Sequence, residues 1–167
     1  AGISKDKIYP IDLTKAYKQL DKIKDKVVTF WDSGAQSIQL VADGSACLGT
    51  AWTSRVTAAS KANQPVGRVW DEAIYHQDFF TVMAGAKNPK AAMQFLAYSL
   101  RPEVRAGISS DLGWIVSDEK IQKMMDPNSL QYQPTPDQFL KGMISDNGWW
   151  AKNLMDAYGR YSSWLTL

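Results

Sequence analysis

Three short apolar segments alternate with helical patterns along the first 70 residues. The segments are VVTFW (27–31), ACLGTAW (46–52) and VGRVW (66–70), and helix-forming sequences separate them at 34–42 and 53–63. ACLGTAW is apolar without alternation, which is typical of a strand covered on both faces. The order β-α-β-α-β predicts a parallel-rich sheet flanked by helices and joined by right-handed crossovers, which places the chain in the α/β class.

The remaining sequence adds one strand and several helices to this prediction. FFTVMAG (79–85) has the composition of a fourth strand, and Asp12 is the expected N-cap of a first helix. Asn88 followed by Pro89 has the pattern of another helix start. Further helices are predicted over about 102–109, over 118–125 and along the C-terminal segment, where Trp150, Leu154, Ala157, Tyr158, Tyr161 and Leu165 share one side.

Each of the first three predicted strands ends in a tryptophan that small or polar residues follow. The three strand ends read FWDSG, AWTSR and VWDEA. In parallel α/β sheets, ligands bind beyond the carboxyl ends of the strands, so Trp31, Trp52 and Trp70 are candidates for a binding surface. The alternative is that each packs in the core, which is the more common position of any single tryptophan.

Composition and charge exclude several classes of function. The chain has 19 basic and 17 acidic residues, a balance that disfavours binding to nucleic acid or to an anionic membrane. Its single cysteine, Cys47, cannot form an intrachain disulfide, and its apolar surroundings predict a buried side chain. No apolar run reaches the length of a membrane span, and no signal peptide is visible.

The sequence YHQD contains the only histidine, His76, two residues before Asp78. One His and one Cys cannot build a structural zinc site, so no metal is predicted. No Gly-rich phosphate loop and no G-x-S-x-G elbow accompany the pair, so no cofactor and no catalytic residue are predicted. An enzyme that uses His76 and Asp78 stays open as an alternative of another class, since the two residues share one face of an extended strand.

Three longer motifs carry a family resemblance. They are ADGSACLGTAW, GAKNPKAAMQFLAYSLRPEV and LGW. In their order and spacing the chain resembles the C-terminal half of a periplasmic solute-binding protein of an ABC transporter, most closely the spermidine/putrescine-binding group. The resemblance implies a periplasmic, non-catalytic receptor with a two-lobed α/β fold. Such a receptor would bind a cationic amine or polyamine in an aromatic cleft, close by a hinge and deliver the solute to a permease in the inner membrane.

The resemblance also implies how the chain is divided. Residues 1–77 would belong to lobe two as an α/β unit. Residues 78–120 would form a hinge strand and an excursion into lobe one, and residues 121–167 would return to lobe two as a C-terminal helical segment. The other half of the receptor would supply the secretion signal and most of lobe one.

Site residues follow from the same resemblance, one position at a time. Trp52, at the end of the LGTAW segment, would stack on the alkyl-ammonium chain of the ligand. His76-Gln77-Asp78 matches the family's aromatic-x-Asp, where Asp78 would accept hydrogen bonds from an ammonium group. Trp114 matches the aromatic that follows a hinge glycine. His76 departs from the family pattern, because its ring is smaller and can carry a positive charge.

Two alternatives concern the ligand and the oligomeric state. The N-terminus of the helix after Ser33, with Arg55 or Arg68, would suit the carboxylate of an anionic or zwitterionic solute such as an amino acid. Against this, Ser33 and Gln36 fit a capping box, which is the favoured interpretation of that sequence. The aromatic side chains of an isolated half-receptor could also be buried by self-association into a homodimer.

Overall fold

In a computed structural model of the chain, residues 2–166 are described, and most of the regular structure is helical. The α-helices are α1 (Leu13–Leu20), α2 (Gly34–Ala42), α3 (Thr53–Lys61), α4 (Pro89–Ser99), α5 (Pro102–Leu112), α6 (Glu119–Gln122), α7 (Pro136–Lys141) and α8 (Asn147–Leu165). Short 3-10 helices span Lys5–Lys7, Lys24–Lys26 and Pro127–Tyr132. Two short strands, β1 (Ile74–Tyr75) and β2 (Met143–Ile144), pair in parallel.

The predicted helices form where their local signals place them. Asp12 is the N-cap of α1, and its Oδ1 accepts a hydrogen bond from the Lys15 amide at 2.9 Å. Helix α2 has the predicted bounds, and α4 begins at Pro89. The amphipathic C-terminal pattern becomes α8, which has 19 residues. Local capping and spacing were therefore sufficient to predict these helices.

The prediction of four strands is wrong, because none of the four segments forms a strand. Residues 27–31, 46–52, 66–70 and 79–85 contain no strand, and the sheet that forms in the described residues is the two-residue pair of β1 and β2. A strand exists only when a neighbouring strand accepts and donates its backbone hydrogen bonds. The apolar pattern identified segments suited to a sheet, but the described residues supply no partner strands for them.

The chain forms two compact units. The first contains the described residues up to Phe30, then Ile74–Gln77, and the described residues from Gly142 onward. The second contains Trp31–Ala73 and Asp78–Lys141. These units are groups of residues that pack together within this chain. The predicted lobe boundaries stay a prediction.

An aromatic cluster around Trp164 holds the first unit together. Trp164 is buried, stacks on Tyr17 at a centroid distance of 5.8 Å, and meets the ring of Phe30 edge to face at 5.3 Å. Its indole N–H donates to Asp21 Oδ1 at 2.7 Å, and the Tyr17 hydroxyl donates to the Ala157 carbonyl at 3.1 Å. Burial raises the pKa of Tyr17 above its usual value. These contacts attach α1 to α8.

Helix α5 is the centre of the second unit, where it packs against α3, α4 and α6. A buried apolar cluster of Ala106, Val116, Ile121 and Met125 forms its core. Gly113 ends α5 in the left-handed conformation, with φ of 70°. A side chain there would also collide with Thr57 of α3, whose hydroxyl oxygen lies near the Cβ position. Glycine is therefore required at this turn for both backbone and packing reasons.

Membrane insertion by a helix has no support in residues 2–166. None of the helices described there combines the length and the apolar character needed to cross a bilayer.

Candidate functional site

Trp52 lies at the surface of the second unit, at the N-cap of α3. Its side chain is 56% exposed, so it does not belong to the core. The ring of Trp31 meets it edge to face, with centroids 5.6 Å apart and an interplanar angle of 85°. The indole N–H of Trp31 donates to the Thr50 hydroxyl at 3.0 Å, which fixes the Trp31 ring. Two of the three strand-end tryptophans thus form one surface pair.

The third strand-end tryptophan has a different position. Trp70 is buried, with the Arg68 guanidinium carbon 5.7 Å from its ring centroid. Exposure therefore separates Trp52, which could contact a solute, from Trp70, which packs in the interior.

The backbone of Gly34, which has no side chain, lies against the six-membered ring of Trp52. A Cβ on Gly34, the first residue of α2, would lie 2.7 Å from Trp52 Cε3 and 2.8 Å from Cζ3. The Arg55 Cγ would be 3.4 Å from the same point. The start of α2, Trp52 and the stem of Arg55 therefore meet at one place in the second unit.

The predicted capping box at Ser33 is wrong. Ser33 is the N-cap of α2, with φ of −127° and ψ of 133°, but its side chain makes no capping hydrogen bond. The amide of Gln36 bonds instead to the Ser33 carbonyl, at 3.1 Å. Because Ser33 is exposed, water can satisfy its hydroxyl and the first N–H groups of the helix, so the box is not obligatory.

His76 and Asp78 are both exposed, and they belong to different units. His76 is in the first unit, directly after β1, and Asp78 begins the second stretch of the second unit. Residues 2–166 supply no hydrogen bond or ion pair to the Asp78 carboxylate. An exposed carboxylate without a partner can accept a hydrogen bond from a solute amine at little desolvation cost.

Trp114 is 45% exposed in the loop after Gly113. Gln133, which is buried, holds this loop at two points. Its Oε1 accepts from the Val116 amide at 3.0 Å, and its Nε2 donates to the Trp114 carbonyl at 2.9 Å. This role of Gln133 could not be predicted, because Gln133 lies in an irregular connector 19 residues beyond Trp114.

The two candidate arginines have different surroundings. Arg68 donates to the Tyr132 carbonyl at 2.9 Å and to the Thr57 hydroxyl at 3.3 Å, and its guanidinium lies 5.0 Å from the Tyr132 ring centroid. Burial lowers the pKa of Arg68 from its ordinary value. Arg68 is thus engaged in holding the second unit together, whereas Arg55 is exposed.

Two further predictions concern cysteine and metal. Cys47 is exposed rather than buried, because residues 47–50 form an exposed irregular segment instead of the predicted strand of a covered sheet. In the described part of the chain, no group of three or more His, Cys, Asp or Glu side chains could hold a metal ion.

Two open grooves are lined by other residues than the tryptophan pair. In the first unit, α1 and α8 border a groove of about 710 Å³ that contains both apolar and charged side chains. In the second unit, residues 80–86 and α4 border a mainly apolar groove of about 360 Å³. Neither of these two grooves is lined by Trp52, Asp78 or Trp114.

Comparison with known proteins identifies the family. Residues 3–133 match the family described as bacterial extracellular solute-binding protein. The chain belongs to the bacterial extracellular solute-binding proteins. The family resemblance predicted from the sequence is therefore confirmed. Its members are receptors rather than enzymes, so the prediction of a non-enzymatic protein is confirmed as well. Membership implies a periplasmic or extracellular location.

Relatives of this solute-binding protein have different ligands in their names. The gamma-aminobutyric acid-binding protein of Pseudomonas aeruginosa is 22% identical over 169 residues, covering 98% of this chain and 48% of the relative. The spermidine/putrescine-binding periplasmic protein of Salmonella typhimurium is 24% identical over 168 residues, covering 98% of this chain and 46% of the relative. The chain thus spans about half the length of these relatives.

Solved structures confirm the fold. A GABA receptor is 31% identical with a TM-score of 0.81, covering 98% of this chain and 51% of that one. An ABC transporter substrate-binding protein from Bradyrhizobium japonicum is 27% identical with a TM-score of 0.84, covering 98% and 52% respectively. The predicted α/β, periplasmic-binding-protein-like fold is confirmed, although the sheet within the described residues is small.

Proposed function

We propose that this solute-binding protein forms part of an ABC-importer receptor that binds an amine-bearing solute and delivers it to a permease. The observation that carries the proposal is the surface pair of Trp31 and Trp52, in which Trp52 stays more than half exposed although two neighbours fix its position. A large exposed indole with a fixed orientation suits contact with a flat or cationic solute.

The chemistry of the surrounding side chains supports an amine. An ammonium group over a tryptophan face gains about 0.5 to 2 kcal/mol, and the gain increases as water is excluded. Asp78 supplies a carboxylate that accepts no hydrogen bond or ion pair from residues 2–166, and Trp114 supplies a second partly exposed indole in the same unit. His76 stays a candidate ligand contact only because the family resemblance implies it.

A second candidate ligand is a zwitterion that carries both an amine and a carboxylate, such as gamma-aminobutyric acid. The specific observation in its favour is that Ser33 does not cap α2, so the first N–H groups of this helix have no side-chain partner from it. The stem of the exposed Arg55 lies beside Gly34 at the same helix start. Helix N-termini and arginine both favour carboxylates. The 31% identical GABA receptor supports this candidate.

Titration calorimetry on a receptor that joins this chain to an N-terminal half tests both candidates. The ligands are putrescine, spermidine, gamma-aminobutyric acid and, as an amine-free control, succinate. We expect Trp52→Ala and Asp78→Asn to weaken amine binding by about 10-fold or more, which corresponds to about 1.4 kcal/mol. Phe95→Ala is the matched control, because Phe95 is a similarly exposed aromatic in the same unit.

The outcomes separate the candidates clearly. If Arg55→Met weakens gamma-aminobutyric acid but not putrescine, the zwitterion is the ligand. Binding of succinate with an affinity that Trp52→Ala leaves unchanged would contradict the amine proposal altogether.

A further inference from the structure

Gly34 occupies a position where the backbone does not require glycine. It is the first residue of α2 and is buried, and its φ lies outside the left-handed region. Alanine is favoured over glycine within helices, because glycine loses more conformational freedom on folding. The reason for glycine at this position must therefore be sought in what surrounds it.

The surroundings of Gly34 are dominated by the ring of Trp52. A Cβ would approach Cε3 and Cζ3 to 2.7 and 2.8 Å, whereas ordinary van der Waals contacts of such an atom begin near 3.4 Å. The ring would have to retreat by several tenths of an ångström or rotate. The indole is rigid and lies against Trp31, so its movement would disturb the edge-to-face contact of the tryptophan pair.

We propose that Gly34 is a positioning residue for Trp52. Its missing side chain lets the indole lie against the first turn of α2, while Trp31, held by Thr50, contacts the same indole edge to face. The two contacts together orient the ring before any solute arrives. The consequence for solute affinity rests on the proposed function, whereas the positioning itself does not.

Orientation matters for an amine ligand because the attraction between a cation and an indole depends on direction. The ring face carries the negative part of the quadrupole and the ring edge the positive part. A ring that is already oriented also loses less freedom when the solute binds. A small displacement of Trp52 would therefore weaken binding without removing the aromatic side chain.

The first test observes tryptophan indole N–H signals by ¹H–¹⁵N NMR in the 167-residue chain. We expect Gly34→Ala to shift the signals of Trp31 and Trp52, assigned with Trp→Phe variants. The signals of Trp149, Trp150 and Trp164 should stay in place, because their ring contacts and indole hydrogen bonds are made with residues of the first unit. A Gly34→Ala spectrum with unshifted Trp31 and Trp52 signals would overturn the proposal.

Gly107→Ala is the matched control for a glycine-to-alanine change in a helix of the same unit. Gly107 lies within α5, and a Cβ there would meet nothing within 4 Å. We expect this variant to leave the Trp31 and Trp52 signals unshifted and to raise the melting temperature slightly, as Gly→Ala changes in helices do.

A double variant keeps the proposal testable if Gly34→Ala folds poorly. In a Trp52→Ala background the obstructing ring is absent, so Gly34→Ala should no longer destabilise the protein. The melting temperature should then be unchanged or raised by Gly34→Ala. If Gly34→Ala lowers the melting temperature equally with and without the Trp52 ring, Gly34 serves another purpose and the proposal fails.

Ligand binding separates the positioning from the proposed function. In the longer receptor, Gly34→Ala should weaken binding of whichever ligand, putrescine or gamma-aminobutyric acid, is bound, by roughly 10-fold, the size of one cation–π contact. If the indole signals shift in Gly34→Ala but Trp52→Ala leaves both affinities unchanged, positioning stands and the proposed amine contact is wrong.

Discussion

Gln133 links the solvent-facing Trp114 to the interior of the second unit. Its amide accepts from the Val116 N–H and donates to the Trp114 carbonyl, and both Gln133 and Val116 are buried. A buried N–H that loses its acceptor keeps its full desolvation cost, because water does not reach it. One side chain therefore determines both local stability and the position of an aromatic residue at the candidate site.

We predict that Gln133→Leu lowers the free energy of unfolding by about 1 to 3 kcal/mol, because it leaves the Val116 N–H without an acceptor. Urea titration followed by far-UV circular dichroism measures the change. Gln131→Leu is the control, since Gln131 is exposed and bonds locally to the Asn128 carbonyl, so its change should stay within about 0.5 kcal/mol. If both variants lower the free energy of unfolding equally, the two hydrogen bonds of Gln133 do not stabilise the protein in solution.

At the scale of single residues, the sequence indicated which residues to consider, but it did not predict their exposure or their contacts. The strand-end tryptophans were predicted as candidates for a binding surface, and their exposure differs, because Trp52 is exposed and Trp70 is buried. Gln133 could not have been predicted, because its two partners lie 17 and 19 residues away along the chain. Burial of Cys47 was predicted from apolar neighbours alone and is wrong.

At the scale of elements, the helix starts differ in how they are capped. Three α-helices within residues 2–166 begin after an aspartate whose side chain accepts a backbone N–H: Asp12 for α1, Asp118 for α6 and Asp146 for α8. Ser33 precedes α2 without such a bond. Caps of this kind stabilise a helix because they satisfy N–H groups that lack partners within it.

We predict that Asp146→Ala and Ser33→Ala differ in their effect on stability. Asp146 Oδ1 accepts from the Trp149 amide at 2.9 Å, so its removal should cost about 0.5 to 2 kcal/mol of the free energy of unfolding. Ser33→Ala removes no capping bond and should stay within about 0.5 kcal/mol. Urea unfolding of both variants measures these changes in the free energy of unfolding. If Ser33→Ala costs as much as Asp146→Ala, the predicted capping box forms in solution.

Helices were predictable and strands were not, for a physical reason. The hydrogen bonds of a helix join residues four apart, so caps and apolar spacing within a short sequence are sufficient evidence. A strand depends on a partner that is distant in sequence: β1 at Ile74 pairs with β2 at Met143. The apolar segments at 46–52 and 66–70 have strand composition, but the described residues offer no ladder for them.

At the scale of the whole molecule, the second unit exposes apolar side chains along its extended segments. The exposed fractions are 78% for Leu48, 72% for Val69, 73% for Phe79 and 75% for Met83. Large exposed apolar side chains of this kind are typical of surfaces that another polypeptide covers. The relatives and solved structures are about twice as long as this chain, so we expect the other half of the receptor to provide this cover.

Family and fold class could be predicted from the sequence, because GAKNPKAAMQFLAYSLRPEV and its neighbouring motifs keep their order and spacing over most of the chain. The lobe boundaries at 77/78 and 120/121 depend on a sheet that includes absent strands, and they stay a prediction. Ligand identity could not be predicted either, since the relatives include both a polyamine-binding and a gamma-aminobutyric acid-binding protein.

The exposed segments lead to a prediction about the 167-residue chain in isolation. Extended apolar segments without a partner offer free N–H and C=O groups together with apolar side chains, which favours pairing with a second copy. We therefore expect light scattering to show a mass that rises with concentration from that of a monomer. Leu48→Lys and Phe79→Lys should shift the mass toward the monomer, because a lysine ammonium must lose its water in such an interface.

Met155→Lys is the control for this prediction. Met155 is 81% exposed and lies on α8 in the first unit, so it does not belong to the extended segments of the second unit. We expect it to leave the mass unchanged. A receptor that joins the chain to an N-terminal half should be monomeric at the same concentrations, because we expect that half to bury the segments. If the isolated chain is monomeric throughout, the extended segments are solvated loops in solution, and self-association is wrong.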